Sequence, residues 1–250
     1  MNELIEHFLS EYVINPDPQY AVLLKGKWGC GKTYFIRKWL KTLVRKDQDE
    51  NIITLEPVYV SAYGMASISE LKIAIDREIN PFFYTSAGKL IKNAGKIISR
   101  IALKTSFDLD GNMHDETTIS ASLDPFAFFK SESEEISGVK LLVFDDIERS
   151  QIDMKQLLGF INGFVEHCGC HVIVIGDEER LGESKRVFEE FKEKTIGREF
   201  EILPDITHAI DCFISEAPIC EYLQSQRDFI IQCFVASKYD NLRILRQCLY

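Results

Sequence analysis

The sequence predicts an α/β fold, in which helices cover both faces of a parallel five-stranded sheet and a small helical lid follows. Apolar runs alternate with segments of helical spacing as far as Asp205. Two of those runs, VKLLVFDD at 139–146 and HVIVIGDEE at 171–179, are largely apolar before they turn acidic, as strands buried on both faces are. From Ile206 onward only helical spacing remains. This order of elements predicts a doubly wound sheet with helices after it.

Composition and charge restrict the class of protein. The chain has 250 residues, of which 46% are hydrophobic, and a formal net charge of −10. These values are typical of a globular protein and disfavour a surface that coats nucleic acid. Its apolar runs are shorter than the ~18 residues that cross a bilayer, and MNELIEHFLSEYVINPD lacks the basic region of a signal peptide. Seven irregularly spaced cysteines indicate reduced thiols, so we expect a cytoplasmic protein without a transmembrane span.

The first part of the chain contains two predicted strands and three predicted helices. In chain order, the spacing predicts a helix over 2–13, a strand over 20–26, a helix over 33–44, a strand over 57–64 and a helix over 67–79. Ser67 and Glu70 have the spacing of a capping box, which supports the start of the third helix.

Residues 81–138 are expected to form an insertion. Within them the basic segment, KLIKNAGKIISRIALK at 89–104, places lysines and arginines beside an apolar stripe. A helix of this kind can lie on a membrane surface or bind a partner. The alternative is a solvated helix that covers the sheet. The stretch 106–138 is polar, so a mobile loop is expected there.

The second part begins with the strand at 139–146. It continues with a predicted helix over 152–168, a strand over 171–179, a helix over 184–195, a strand over 198–205 and helices from 206. We therefore divide the chain into a core over 1–204 and a helical lid over 205–250. The helical pattern still runs at Tyr250, so we expect the lid to continue in a longer protein.

The stretch GKWGCGKT, residues 26–33, has the spacing GxxxxGK[ST] between a predicted strand and a predicted helix. A loop that wraps a triphosphate turns its N–H groups inward, through conformations that glycine adopts most easily. The helix that follows directs its free N–H groups at the anion. Lys32 would reach the β- and γ-phosphates, and Thr33 would join the magnesium shell. The alternative is a glycine-rich turn with an unrelated lysine.

Nucleotide binding is therefore assigned to one continuous stretch. Its residues are Gly26, Trp28, Gly29, Cys30, Gly31, Lys32, Thr33 and Tyr34. Cys30 is either a candidate for oxidation, because helix N-termini lower thiol pKa values, or simply a small residue that fits the loop.

A second set of polar residues follows the third predicted strand. Asp145 is expected to bind magnesium through water, and Asp146 to act as the general base for an attacking water, because both would face the crevice beyond the strand ends. Adjacent carboxylates at a buried strand end are costly unless a cation or hydrogen bonds balance them. The alternative is a polar strand cap. Arg149 would either pair with Glu148 or reach a phosphate. Asp177, after the next strand, would either sense the γ-phosphate or cap a helix.

These landmarks together resemble the KAP family of P-loop NTPases, a branch of the additional-strand class related to AAA+ ATPases. GKWGCGKTYF resembles the family's phosphate loop, VFDDIER its acidic strand end and IGDEERL the segment after its sensor strand. FEEFKEKTIGREFEILPD resembles a later helix and strand, and NLRILRQ the family's Asn-x-Arg helix. The resemblance implies the strand order 5-1-4-3-2, ATP as substrate with magnesium, and a nucleotide contact from Arg243.

Two departures indicate a divergent bacterial branch. Many relatives have transmembrane helices where this chain has 81–138, and the resemblance does not carry that spanning over to this chain. The family's Asn-Ala-Trp after the second strand is replaced by Ser61, Ala62 and Tyr63.

The leading hypothesis is an ATPase whose hydrolysis drives a conformational switch or an assembly, with Asp146, Lys32 and Arg149 as catalytic residues and Thr33 and Asp145 at the metal. The resemblance implies a role in membrane-linked complexes or in anti-phage defence. Self-association or a partner protein is expected, with an arginine from a neighbouring subunit completing the site. Three alternatives stay open: a nucleotide-gated interaction module with negligible turnover, a P-loop kinase, and a nucleic-acid motor. The motor would use the basic segment, and the acidic net charge disfavours it.

Overall fold

The computed structural model describes residues 2–15, 18–46, 52–54, 57–79 and 141–250, and it confirms the predicted sheet. Five strands form it: β1 (Ala21–Lys25), β4 (Val58–Ser61), β5 (Leu141–Asp145), β6 (His171–Gly176) and β7 (Ile196–Glu201). Their order is β4-β5-β6-β1-β7, and every neighbouring pair is parallel. This is the predicted order 5-1-4-3-2 read from the opposite edge.

Helices lie between the strands and after the last one, as predicted. The helices up to β7 are α1 (Asn2–Ile14), α2 (Lys32–Leu40), α3 (Ile68–Ile79), α4 (Met154–Cys168) and α5 (Lys185–Thr195). After β7 come α6 (Ile206–Glu216), α7 (Cys220–Ser225), α8 (Arg227–Ala236) and α9 (Leu242–Leu249), which we call the lid. The predicted insertion at 81–138 and the basic segment lie outside the described residues.

The predicted extent of the second helix was wrong. The spacing predicts a helix to Val44, but α2 ends at Leu40 and Val44–Lys46 form strand β2, which pairs antiparallel with β3 (Ile52–Thr54). Thr42 and Leu43 donate backbone hydrogen bonds to Trp39 and Leu40 in a turn. The apolar spacing of residues 40, 43 and 44 fits both a helix and a turn before a strand, and the β-branched valine favours the strand.

The core fills both faces of the sheet, because side chains alternate along each strand. Ala21 and Leu23 pack with α3, α4 and α5 on one face, whereas Val22 and Leu24 pack with α1 and α2 on the other. Burying each large side chain contributes about 1.5–3 kcal/mol. Since both faces are covered, the ends of the strands are the places where polar side chains can gather.

The lid has a small apolar core of its own. Its buried members are Ile210, Ile214, Ala217, Leu223, Phe234, Leu242 and Leu245. In the part of the chain that the structure describes, no helix has both the length and the apolar character needed to cross a membrane.

Candidate functional site

A cleft of about 1000 Å³ lies at the carboxyl ends of β1 and β5. This volume is at the upper end of the ~300–1,000 Å³ that ligand sites usually have. The loop between β1 and α2 forms one wall, the turn after β5 a second, and residues 202–206 together with the lid a third. The cleft thus lies between the sheet edge and the lid, where ligands of open α/β sheets bind.

The loop before α2 has the shape expected of a phosphate-binding loop. Gly29 and Gly31 have φ angles of +83° and +104°, values that side chains rarely allow. The first hydrogen bond across the helix start runs from Phe35 N–H to Gly31 O, at 2.8 Å. The N–H groups of residues 32–34 therefore have no partner within the helix, and they lie beside the cleft. Free N–H groups at the positive end of a helix fit an anionic phosphate.

The Lys32 ammonium is buried in this loop, with 8% of the residue exposed. Its Nζ donates hydrogen bonds to the carbonyl oxygens of Gly26 and Lys27, the second at 3.2 Å. Two carbonyl groups offset only part of the cost of burying a full positive charge. The arrangement therefore favours an anion in the cleft.

Thr33 and Asp145 meet, although they come from different strand–helix units. Thr33 Oγ1 donates to Asp145 Oδ2 at 2.8 Å, and the Tyr59 hydroxyl donates to the same oxygen. The backbone N–H of Asp146 donates to Asp145 Oδ1 at 2.8 Å. A hydroxyl and a carboxylate are the oxygen ligands that Mg²⁺ prefers, so these residues fit the predicted metal. Tyr59 is a contact that the sequence reasoning missed.

Asp146, the residue directly after β5, has a left-handed conformation, with φ 57° and ψ 38°. Such a conformation is costly for a residue other than glycine and is typical of functional sites. Its Oδ2 accepts a hydrogen bond from Ser61 Oγ at 2.9 Å, and its Oδ1 lies 3.7 Å from Arg149 Nε. Both Asp145 and Asp146 line the cleft, as predicted.

Arg149 stacks on the phosphate loop rather than pairing closely with Glu148. Its guanidinium carbon lies 4.1 Å from the centre of the Trp28 ring, whereas its Nε is 3.9 Å from Glu148 Oε1. Glu148 Oε1 instead accepts the indole N–H of Trp28 at 2.5 Å. Among the described residues the buried Arg149 Nε has no hydrogen-bond partner. Arg149 also lines the cleft, so its positive charge lies at the cleft wall between Asp146 and the loop.

Asp177 contacts the backbone of the phosphate loop and lies outside the cleft. It is 4% exposed, and its carboxylate accepts the backbone N–H groups of Trp28 at 3.1 Å and Glu179 at 3.2 Å. Asp177 is not among the residues that line the cleft. Of its two predicted roles, these contacts support the cap.

The lid is joined directly to the loop. The N–H of Leu242 donates to Gly29 O at 2.9 Å, and Lys27 Nζ lies 2.9 Å from Asp240 Oδ2. A Cβ on Gly29 would lie 2.1 Å from Asn241 Oδ1, so the contact requires glycine. The next lid residue, Arg243, lines the cleft, which is the side that its predicted nucleotide contact requires.

The opposite wall contains two residues that sequence reasoning did not assign, His208 and Cys212, beside Tyr34, which it assigned to nucleotide binding. Tyr34, in the first turn of α2, lies with its ring 6.5 Å from that of His208 in α6. His208 Nε2 is 3.7 Å from Cys212 Sγ, and all three residues line the cleft. The i, i+4 spacing of His208 and Cys212 on a helix is a signal that could have been noticed.

Cys30 is buried under the loop, and burial raises the pKa of its thiol, with a smaller opposite effect from Lys32. The structure therefore supports the second interpretation of Cys30, a small residue that fits the loop.

Comparison with known proteins gives a match to one family and similarity to solved structures. A family model described as "KAP family P-loop domain" matches residues 2–245. No curated protein matches the chain. The crystal structure of Cdc6p from Pyrobaculum aerophilum matches with a TM-score of 0.48 and 13% identity, over 98% of this chain and 59% of that one. The chain thus spans less than two thirds of that structure.

Proposed function

This chain belongs to the KAP family of P-loop NTPase domains, and on that premise we propose that it binds ATP with Mg²⁺ and hydrolyses it to drive a conformational or assembly switch. One observation carries the proposal: Thr33 Oγ1 and Asp145 Oδ2 are 2.8 Å apart, so the phosphate loop and the acidic strand end share one cleft. A nucleotide held by the loop would lie beside a pair of oxygen ligands suited to its metal.

The loop residues would bind the phosphates. The N–H groups at the start of α2 and the buried Lys32 ammonium supply donors and positive charge. Thr33 and Asp145 would hold Mg²⁺, which supplies charge neutralisation at the β- and γ-phosphates. Arg243, from the lid wall, is the proposed nucleotide contact on the opposite side. Cys30, within the loop, and Tyr34, directly after it, line the cleft beside the proposed phosphate site.

Hydrolysis requires a residue that orients water and a cation near the γ-phosphate. Asp146 is the proposed base, because it follows Asp145 and its Oδ2 is oriented by Ser61 at 2.9 Å. Arg149 is the proposed cation, because it stacks on Trp28 of the loop and lines the cleft. An arginine from a second subunit would act in the same way.

A switch requires that the nucleotide site be coupled to another part of the protein. The hydrogen bond from Leu242 to Gly29 and the ion pair of Lys27 with Asp240 join the lid to the loop. Binding of phosphates by the loop would therefore act on the lid. Self-association or a partner protein would receive that movement. Anti-phage defence is the setting that the family resemblance suggests, and contact of the basic segment with a membrane or a partner lies outside the described residues.

Substitution of Lys32 tests the proposal. Lys32→Ala should abolish ATP binding, measured with a fluorescent ATP analogue, because the loop loses its buried cation. Lys41→Ala is the matched control, since Lys41 is exposed at the end of α2 and should leave the affinity unchanged. Equal affinity in Lys32→Ala and the parent would refute the proposal.

The nucleotide-gated module with negligible turnover is the second candidate. It is favoured by the contacts of Asp146, whose Oδ2 accepts the Ser61 hydroxyl while Arg149 lies 3.7 Å from Oδ1. A carboxylate with both oxygens engaged is a weaker acceptor for a proton of water. Counting phosphate released per bound ATP decides between them: many turnovers support the ATPase, and one or fewer support the module.

A further inference from the structure

Two hydroxyl groups of β4 contact the two carboxylates at the end of β5, where Asp145 is the last residue of the strand and Asp146 follows it. The Tyr59 hydroxyl donates to Asp145 Oδ2, and Ser61 Oγ donates to Asp146 Oδ2 at 2.9 Å. The mechanism proposed above assigns no role to Tyr59 and only a local one to Ser61. Because each hydroxyl contacts a different carboxylate, their effects on the site are separable.

The register of the sheet explains both contacts. Tyr59 is paired with Val143, and Ser61 with Asp145. Alternation along β4 places Tyr59 and Ser61 on one face, so Tyr59 reaches Asp145 diagonally. A diagonal pair of this kind is about 7–8 Å apart at the backbone, a distance that a tyrosine side chain spans and a serine does not.

Asp146 reaches the same face of β4 as Asp145 because the regular strand geometry does not extend to it. In a continuing strand, consecutive side chains point to opposite faces. The left-handed conformation of Asp146, with φ 57°, breaks this alternation directly after Asp145, the last residue of β5. Ser61 can then bond to Asp146, although its paired residue in the register is Asp145.

Tyr59 is held as a donor. The Arg37 guanidinium carbon lies 4.7 Å from the centre of the Tyr59 ring, a cation–π contact that restrains the ring. The Tyr59 hydroxyl is thereby held beside Asp145 Oδ2, to which it donates its hydrogen bond.

The hydrogen bonds to Asp145 use most of the acceptor positions of its carboxylate. An ionised carboxylate offers about four acceptor positions. Oδ2 accepts from Thr33 and Tyr59, and Oδ1 accepts from the N–H of Asp146. About one position remains, on Oδ1. The three hydrogen bonds therefore fix the orientation of the carboxylate, and with it the direction from which a further ligand can approach.

We propose that Tyr59 and Ser61 are positioning residues with separate effects: Tyr59 orients Asp145 and so sets the affinity for Mg²⁺, whereas Ser61 orients Asp146 and so sets turnover. The inference rests on the proposed function, because it assumes that Asp145 serves a metal and Asp146 serves water. It adds that one strand at the edge of the described sheet controls both.

A magnesium titration tests the role of Tyr59. The affinity for a fluorescent ATP analogue is measured against Mg²⁺ concentration, and again in EDTA, for the parent, Tyr59→Phe and Tyr222→Phe. Tyr59→Phe should need about 10–100-fold more Mg²⁺, as is usual when a residue supporting a metal ligand is lost. Its affinity in EDTA should equal that of the parent, because the phosphate loop is unchanged. Tyr222, 65% exposed in the lid, is the matched control and should behave as the parent.

A turnover measurement tests the role of Ser61. Ser61→Ala should lower phosphate release about 10-fold at saturating Mg²⁺ and ATP without changing the Mg²⁺ requirement. Ser61→Thr retains the hydroxyl and should restore release. Thermal unfolding of each variant checks that the fold is kept.

Each contrary result has a distinct meaning. An unchanged Mg²⁺ requirement in Tyr59→Phe overturns its assigned role while ATP binding stands. A loss of affinity in EDTA equal to that in Mg²⁺ shows a general structural effect and also overturns it. A shifted Mg²⁺ requirement in Ser61→Ala refutes the separation of the two effects. A parent whose affinity does not respond to Mg²⁺ refutes the metal site of the proposed function, and the inference with it.

Discussion

The backbone N–H of Leu242 donates a hydrogen bond to the carbonyl of Gly29 at 2.9 Å, so the last helix of the lid begins on the phosphate-binding loop. The side chain of Asn241 caps that helix by accepting the N–H groups of Arg243 and Ile244. The same Asn241 fills the space beside Gly29 that a Cβ would need. At Gly29 the loop and the lid therefore pack against each other because this residue has no side chain.

Substituting that glycine should separate the lid from the loop. Gly29 has φ +83°, and its added Cβ would lie 2.1 Å from Asn241 Oδ1. Gly29→Ala should therefore lose about 1–3 kcal/mol of stability and weaken ATP binding, as measured by thermal unfolding and nucleotide titration. Gly159→Ala is the control, because nothing lies within 4 Å of a Cβ there and alanine favours its helix. An unfolding midpoint for Gly29→Ala equal to that of the parent would show that the loop and lid are not fitted in this way.

Removing the proposed base should separate binding from turnover. Asp146→Asn keeps the size and the hydrogen bond from Ser61 but cannot accept a proton, so ATP affinity should stay while turnover falls about 10²-fold or more. Phosphate release under multiple-turnover conditions measures this. Asp228→Asn is the control, because that side chain is 85% exposed on α8. Equal release by Asp146→Asn and the parent would remove the role of Asp146.

Two arginines on one indole allow a matched comparison. Arg149 and Arg180 both stack on Trp28, at 4.1 and 4.6 Å, but of the two only Arg149 lines the described cleft. Arg149→Ala should lower turnover about 10³-fold if Arg149 stabilises charge at the γ-phosphate. Arg180→Ala should retain turnover, because it removes a similar stacking contact outside the cleft. Similar rates in the two variants would assign both arginines to the support of Trp28 alone.

Bound nucleotide should protect one cysteine from alkylation. Cys212 lines the cleft beside Tyr34 and His208, whereas Cys220, Cys233 and Cys248 are exposed on the lid. With iodoacetamide and peptide mass spectrometry, Mg²⁺ and ATP should slow labelling of Cys212 and leave the other three unchanged. Labelling of Cys212 at the same rate with and without nucleotide would place the ligand away from α6.

The sequence predicts the sheet and both halves of the site because each is encoded in contiguous residues. The phosphate loop is one stretch from Gly26 to Thr33, and the acidic turn follows one apolar strand. Parallel strands end at the same edge, so their meeting follows from topology. The observed hydrogen bond between Thr33 and Asp145 is the contact that this reasoning requires.

Contacts between residues that are far apart in the sequence could not be predicted from such local patterns. The period-2 pattern of VYVS places Tyr59 and Ser61 on one face, but only the register with β5 shows which carboxylates they reach. Asp177 is similar, because its position after a strand fits both a sensor and a cap. Its bond to the Trp28 N–H depends on how the loop folds over β6, which no local pattern records.

Adjacent residues of the phosphate loop are bonded to two separately packed units. The N–H of Trp28 is bonded to Asp177 at the end of β6, and the carbonyl of Gly29 is bonded to Leu242. A rotation of the backbone between these two residues would therefore tilt the helical cluster relative to the sheet. Binding of a nucleotide in the cleft would then change the angle between the lid and the sheet. That change would be detectable on the outer surface of the lid, away from the phosphates.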